Sequence, residues 1–268
     1  MFKFIEKYFK KPELGYFLIN VVDHCNLNCK YCDHFAALAE ERFADFNVLK
    51  KDLKRMASLV NTRSLGIMGG ETLLNKELEK ILQMARQVLP KTDLAIYTNG
   101  ILLAEKDEKF WKCCHDNKVR IAISRFPIKL DLKTIFYKAK KYEVIVHFYG
   151  GTLTEFKKMY KMKLDIEGKQ DAKEMSDACW QNGFCCMLEN GKFYKCTTAG
   201  HIHRFSKFFN LDIYPCEEDY VDIYKIKSGK ELIDFFQKVT PICRYCDMKH
   251  QTTDLDFEIS KKEITEWS

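Results

Sequence analysis

The first 150 residues alternate short apolar runs with amphipathic stretches. Residues 17–22 are apolar except for Asn20, the pattern of a strand buried on both faces. Residues 48–60 place Leu49, Leu53, Met56 and Val60 on one helical face, with Asn47 positioned as the cap. The alternation continues with a strand over 64–68, a helix over 76–89 stopped by Pro90 and a strand over 94–97. A helix over 106–117 turns Phe110, Trp111 and Cys114 inward, and strand 119–124, helix 132–141 and strand 144–148 follow. This rhythm predicts βαβ units and an α/β fold with a parallel sheet, either open or curled into part of a barrel.

After Tyr149 the pattern changes. Residues 150–177 are rich in Lys, Glu and Asp without a sustained period, which predicts a surface helix and a connecting loop, with room for one last barrel strand. Asn190-Gly191 lies between Met187-Leu188 and Phe193-Tyr194, a strong hairpin signal, and a further helix is expected over 229–239.

A length of 268 residues suits one main domain with a small appendage, divided as 1–150, a connecting segment 151–178, a second unit 179–250 and a charged tail 251–268. No apolar run approaches the roughly 18 residues that a bilayer span needs. The net charge of +6 comes from 44 basic and 38 acidic residues, interspersed rather than clustered, which argues against nucleic acid as a partner. Twelve cysteines exceed what packing requires and point to metal binding in a reducing compartment. Met1 to Lys11 mix lysine with aromatic residues and lack a signal peptide's apolar core, so a cytoplasmic location is expected.

The candidate chemistry gathers at the carboxyl ends of the predicted strands, where parallel α/β folds carry their functional groups. Cys25, Cys29 and Cys32 form a C-x3-C-x2-C loop after the first strand. Three thiolates from one short loop can hold three irons of a [4Fe-4S] cluster and leave the fourth open. Structural zinc prefers four protein ligands, and disulfides suit a secreted chain. Gly69-Gly70-Glu71, Thr98-Asn99-Gly100 and Ser124-Arg125 end the next three strands. A second set follows: Cys179, then Gly191 and Cys196 across the predicted hairpin, then the pair Cys243 and Cys246. Four such cysteines could bind structural zinc or a second iron-sulfur cluster. Cys113 and Cys114 are expected in the core. Cys185 and Cys186 are alternatives as ligands, as hydrogen donors or as packed thiols, and Cys216 is likewise unassigned.

The cysteine triplet, with Tyr31 before its last member, resembles the signature of radical S-adenosylmethionine (SAM) enzymes, and Gly69-Gly70-Glu71 resembles their second motif. The resemblance implies a partial (β/α)5-6 barrel, a [4Fe-4S] cluster with an open iron, and SAM. Tyr31, Gly69, Gly70, Glu71, Asn99 and Ser124 would bind the cofactor, and Arg125 would clamp an anionic group as a catalytic residue. The family usually has proline after the glutamate where this chain has Thr72, which puts the loop's rigidity in doubt. The later cysteines resemble the twitch domain, the shorter relative of the SPASM domain, and imply one auxiliary cluster, of the [4Fe-4S] type, in a small hairpin and helix unit.

The family resemblance implies a radical SAM oxidoreductase that oxidises a small molecule with help from the auxiliary cluster. It is similar to the aminocyclitol (2-deoxy-scyllo-inosamine) dehydrogenase type, which suggests a sugar or cyclitol, and implies a flavodoxin- or ferredoxin-type electron donor. Within the class, peptide modification or sugar epimerisation is the alternative. A non-catalytic iron-sulfur or zinc protein that binds a partner is the alternative from another class.

Overall fold

A computed structural model describes residues 11–268. The reading of Met1 to Lys11 therefore lies, apart from Lys11, outside the described residues.

Five parallel strands form the body: β1 (Glu13–Asn20), β2 (Asn61–Met68), β3 (Asp93–Thr98), β4 (Val119–Ile123) and β5 (Val146–Phe148). Helices α1 (Phe46–Leu59), α2 (Leu78–Val88), α3 (Glu108–Asp116) and α4 (Leu132–Lys141) connect them. The fold is α/β with a mainly parallel central sheet, consistent with a partial barrel. Strands begin earlier than the apolar runs suggest, because backbone pairing of Glu13 with Asn61 and Leu14 with Thr62 extends the ladder into residues that lie outside a continuous apolar run. The cap of α1 is Asp45, not Asn47: its carboxylate accepts from the amides of Asn47 and Val48.

Residues 150–177 add no barrel strand. β6 (Met159–Lys161) instead pairs antiparallel with β10 (Thr252–Leu255) in a separate two-stranded sheet, and α5 (Ala172–Ala178) follows. The Asn190-Gly191 hairpin is present as β7 (Met187–Glu189) and β8 (Lys192–Tyr194), with both turn residues at positive φ, 50° and 76°. β7 pairs parallel with β1, and β9 (Tyr220–Asp222) pairs with β8, giving the order β5-β4-β3-β2-β1-β7-β8-β9. One sheet thus runs through the boundary at 179. Helix α6 (Thr197–Phe209) starts where the hairpin ends, and α7 (Gly229–Phe235) is four residues shorter than its apolar pattern.

The core lies between the sheet and α1 to α4 and contains Cys113, Cys114 and Cys186. A second apolar cluster joins β1 and the hairpin to α6 and Trp267. No helix among the described residues is long and apolar enough to cross a membrane.

Candidate functional site

β1 delivers the loop 25–32 at its carboxyl end. The Leu27 amide donates to Cys25 Sγ at 3.3 Å and Cys29 Sγ donates to the Leu27 carbonyl at 3.1 Å, so the loop coils round its own sulfurs. Tyr31, at φ 63°, makes the left-handed turn that brings Cys32 back beside Cys29. Burial raises the Cys25 thiol to about 12 and pushes Cys29 and Cys32 up as well, and the thiols' mutual repulsion adds to the rise at Cys25 and Cys29. A bound cation is what would stabilise three adjacent thiolates here.

The double glycine meets this loop from below. A Cβ on Gly69 would sit 2.2 Å from the Val22 carbonyl oxygen, and one on Gly70 would sit 2.1 Å from that of His24. Only glycine permits this approach, and Gly70 and Glu71 donate their amides to Val22 and His24 across it. The Gly69 carbonyl meets the His34 ring at 3.1 Å. Glu71 is fully buried and accepts from Thr98 Oγ1 (2.5 Å), the Asn99 amide (2.8 Å) and the Leu73 amide (3.0 Å), so it organises the end of β3 rather than presenting its charge to a ligand. Burial raises its carboxyl despite these donors. Thr72 is held by its own hydroxyl, which donates to the Tyr97 carbonyl at 2.7 Å and supplies a restraint where the family has proline.

Asn99, placed by Glu71, donates to Asn26 Oδ1 at 2.7 Å and lies 3.8 Å from Cys25 Sγ, so it is tied to the cysteine loop. Ser124 is half-buried at the end of β4, its amide bonded to the Thr98 carbonyl. The Arg125 guanidinium donates through Nη1 to the carbonyls of Phe126 and Ile128 and lies over the Phe156 ring, while its Nε is buried with no partner. Neither Ser124 nor Arg125 lines the cavity beside the cysteines.

That cavity, of about 680 Å³, is bordered by Tyr31, Asp33 and His34 from the cysteine loop and by Tyr16, Tyr97 and Tyr149 from the sheet. Its far side carries residues that periodicity did not single out. Tyr160 donates to Asp33 Oδ2 at 2.6 Å, and Gln181 Nε2 donates to the same oxygen at 3.2 Å and to the Tyr160 hydroxyl at 2.6 Å. Burial opposes ionisation of Asp33, but the His34 ring, the Tyr160 hydroxyl, Lys157 and Gln181 outweigh it and hold the carboxyl below its usual range. Lys157 lies near Cys29, Cys32 and Asp33, and burial lowers its ammonium against their pull. The position of Asp33 directly after Cys32 was the available signal for this group.

Cys179, Cys196, Cys243 and Cys246 line one enclosed cavity behind that wall. Cys179 caps the end of α5, Cys196 the start of α6, where its sulfur accepts from the Ala199 amide, Cys243 lies on a 3₁₀ turn, Pro241–Tyr245, and Cys246 caps that turn's end. Burial, together with the other three sulfurs, raises Cys196 well above its ordinary value. Among the described residues no three His, Cys, Asp or Glu side chains converge on a single-ion geometry, so the four thiols enclose a space rather than a point. Cys185 lines the large cavity and not this one, Cys186 is fully buried in the core, and Cys216 is exposed.

The two cysteine sets are fixed to each other. Arg204 on α6 donates to the His34 carbonyl at 2.9 Å and forms a buried ion pair with Asp23 at 2.7 Å, so the helix that begins at Cys196 grips both flanks of the Cys25 loop.

Residues 19–124 match the family model described as the Radical SAM superfamily. A GTP 3',8-cyclase from Clostridium acetobutylicum is 28% identical over 252 residues, 87% of this chain and 76% of its own length. Another from Clostridium botulinum is 24% identical over 251 residues, again 87% and 76%. Among solved structures, BtrN in complex with AdoMet and 2-DOIA matches 89% of this chain and 94% of its own with a TM-score of 0.51 at 16% identity. Native anSMEcpe with bound AdoMet matches 87% and 82% with a TM-score of 0.51 at 18% identity. At these identities the structural likeness is one of fold.

Proposed function

We propose that this chain, whose residues 19–124 match the Radical SAM superfamily model, is a radical SAM enzyme that cleaves SAM reductively and oxidises a small molecule by two electrons. When bound, a [4Fe-4S] cluster on Cys25, Cys29 and Cys32 with SAM at its open iron supplies a 5'-deoxyadenosyl radical, and a cluster on the four later cysteines supplies an electron acceptor. The donor sets fit these groups: three thiols share one loop, and four thiols enclose one cavity.

The observation that carries the reading is a shared wall. Gln181, 1% exposed, lines both the large cavity and the enclosed one, so a substrate in the first lies one side chain from the second. The chain's own residues do the rest. Asn99 and the glycine pair position the cysteine loop, Asp33 with Tyr160 presents a fixed acceptor to a substrate hydroxyl, and the cavity's tyrosines shield a radical from water.

The relatives' printed activity, 3',8-cyclisation of GTP, is a second reading supported by 28% identity. A triphosphate calls for several free cations. Of the cations lining the cavity, Arg120 is committed to Asp93 and Lys158 to Asp256. Epimerisation is favoured by a different observation, the Cys185 thiol in the cavity wall, which could return a hydrogen atom to a substrate radical. Solvent deuterium in a product of unchanged oxidation state would mark that outcome.

The test is anaerobic reconstitution. About eight irons per chain and 5'-deoxyadenosine on reduction with SAM are expected. Cys29→Ala should abolish 5'-deoxyadenosine, while Cys243→Ala should keep it and lose the oxidised product. Zinc in place of iron, with SAM left intact, would support the binding-protein reading instead.

A further inference from the structure

The enclosed cavity of the four later cysteines contains a buried lysine. Lys195, between β8 and Cys196, is 3% exposed and lines that cavity. Its ammonium lies 5.6 Å from the Phe235 ring centroid and donates to the Lys238 carbonyl. That bond holds the charge beside the segment that carries the C-x2-C pair, where the Thr240 hydroxyl lies 3.2 Å from Cys243 Sγ.

An ammonium has three N–H donors. One is spent on Lys238, and the other two meet no acceptor among the described residues. Asp219 lines the same cavity, but its two oxygens accept the amides of Ile242 and Cys216, and no ion pair joins it to the lysine. Burial works against the Lys195 charge, and the groups that favour it are the thiols of Cys243, Cys196 and Cys186. At the first cysteine set burial opposes the Lys157 charge likewise, but there the foremost group favouring it is a carboxylate, Asp33. A metal group held by four thiolates is anionic and becomes more so with each electron added. In a closed apolar space a fixed positive charge is felt strongly and favours the form with the extra electron.

We propose that Lys195 is the counter-ion of the auxiliary cluster and raises its reduction potential, which suits that cluster to accept an electron. This deepens the radical reading above and rests on it. The lysine acts through its charge alone and neither gives nor takes a proton.

The reconstituted full chain is titrated with a low-potential reductant under EPR, and SAM is added to mark the signal of the cluster with the open iron. Wild type is compared with Lys195→Met and Lys195→Gln, which remove the charge, and with Lys195→Arg, which keeps it; Lys195→Gln also keeps a donor for the Lys238 carbonyl. Both neutral variants should shift the auxiliary cluster at least tenfold towards its oxidised form, about 59 mV for a one-electron couple. The SAM-sensitive signal should stay in place, and Lys195→Arg should match wild type. Loss of the auxiliary irons from both neutral variants, with Lys195→Arg fully loaded, marks a counter-ion equally. An unmoved potential in the neutral variants, the same shift in Lys195→Arg or in both clusters, or loss of iron from all three variants shows a packing role and overturns the proposal. Metal analysis separates the two levels: zinc in place of the auxiliary irons sinks the cluster reading and the proposal with it, whereas a full iron count with an unmoved potential sinks the proposal alone.

Discussion

The indole Nε1 of Trp267 donates a 3.0 Å hydrogen bond to the carbonyl oxygen of Cys32. The ring is 2% exposed and packs against Phe35, Phe205 and Phe209, and upstream of it the Lys30 amide donates to Glu258 and the Ser260 amide to Asn28. The segment expected as a charged tail is thus a clamp along the cysteine loop. Trp267→Phe should cost about 1 kcal/mol through the lost hydrogen bond, and Trp267→Ala about 3–5 kcal/mol through the cavity as well. Urea unfolding checks the order, and iron retention in the loop should fall in the same sequence.

Arg204 is the other tie between the two cysteine sets. Its ion pair with Asp23 is buried, and Arg204→Ala leaves that carboxylate with the half-exposed Arg42 and the neutral Asn20 amide as partners. Removing one partner of a buried pair costs about 3–5 kcal/mol. Thermal unfolding should show that loss, and Arg204→Lys, which cannot bond both Asp23 and the His34 carbonyl in the same way, should recover only part of it.

Gly70→Ala places a methyl group 2.1 Å from the His24 carbonyl oxygen, backbone against backbone. Neither side can yield without moving Cys25, so the variant should be destabilised by about 1–3 kcal/mol or more and should take up fewer irons on reconstitution. Normal iron content would show that the loop tolerates the displacement.

Burial, with Asp33 and Cys179 nearby, raises the Cys185 thiol to about 12. Its thiolate is therefore scarce at neutral pH and grows as pH rises. Iodoacetamide labelling of Cys185, followed by mass spectrometry, should accelerate about tenfold per pH unit between roughly pH 8 and 10, with no plateau. A plateau by pH 9 would mean an ordinary exposed thiol.

The parallel body was legible because strands buried on both faces read as continuous apolar runs, as Phe17 to Ile19 do, and because α2 and α4 keep a clean helical stripe. The hairpin was legible because Asn190-Gly191 takes the positive-φ turn that few other pairs accept. Strand starts were not, since ladder pairing is blind to side chains. Gln181 and Lys157 were hidden because a single polar residue in a charged loop has no period; only folding brings Gln181 against Asp33 and turns Lys157 towards Cys29. Arg125 sits after β4 with Nη1 on the neighbouring carbonyls of Phe126 and Ile128 and a buried Nε that has no partner, an arrangement its place in the sequence does not reveal.

The parallel contact of Leu18 and Ile19 with Met187 and Leu188 makes β1 an interior strand. Were the chain severed anywhere between 150 and 186, that flank of the amino-terminal fragment would become a bare apolar ladder, ready to recruit another copy edge to edge. What looks by spacing like a detachable accessory is therefore also the cover that keeps the amino-terminal half from polymerising.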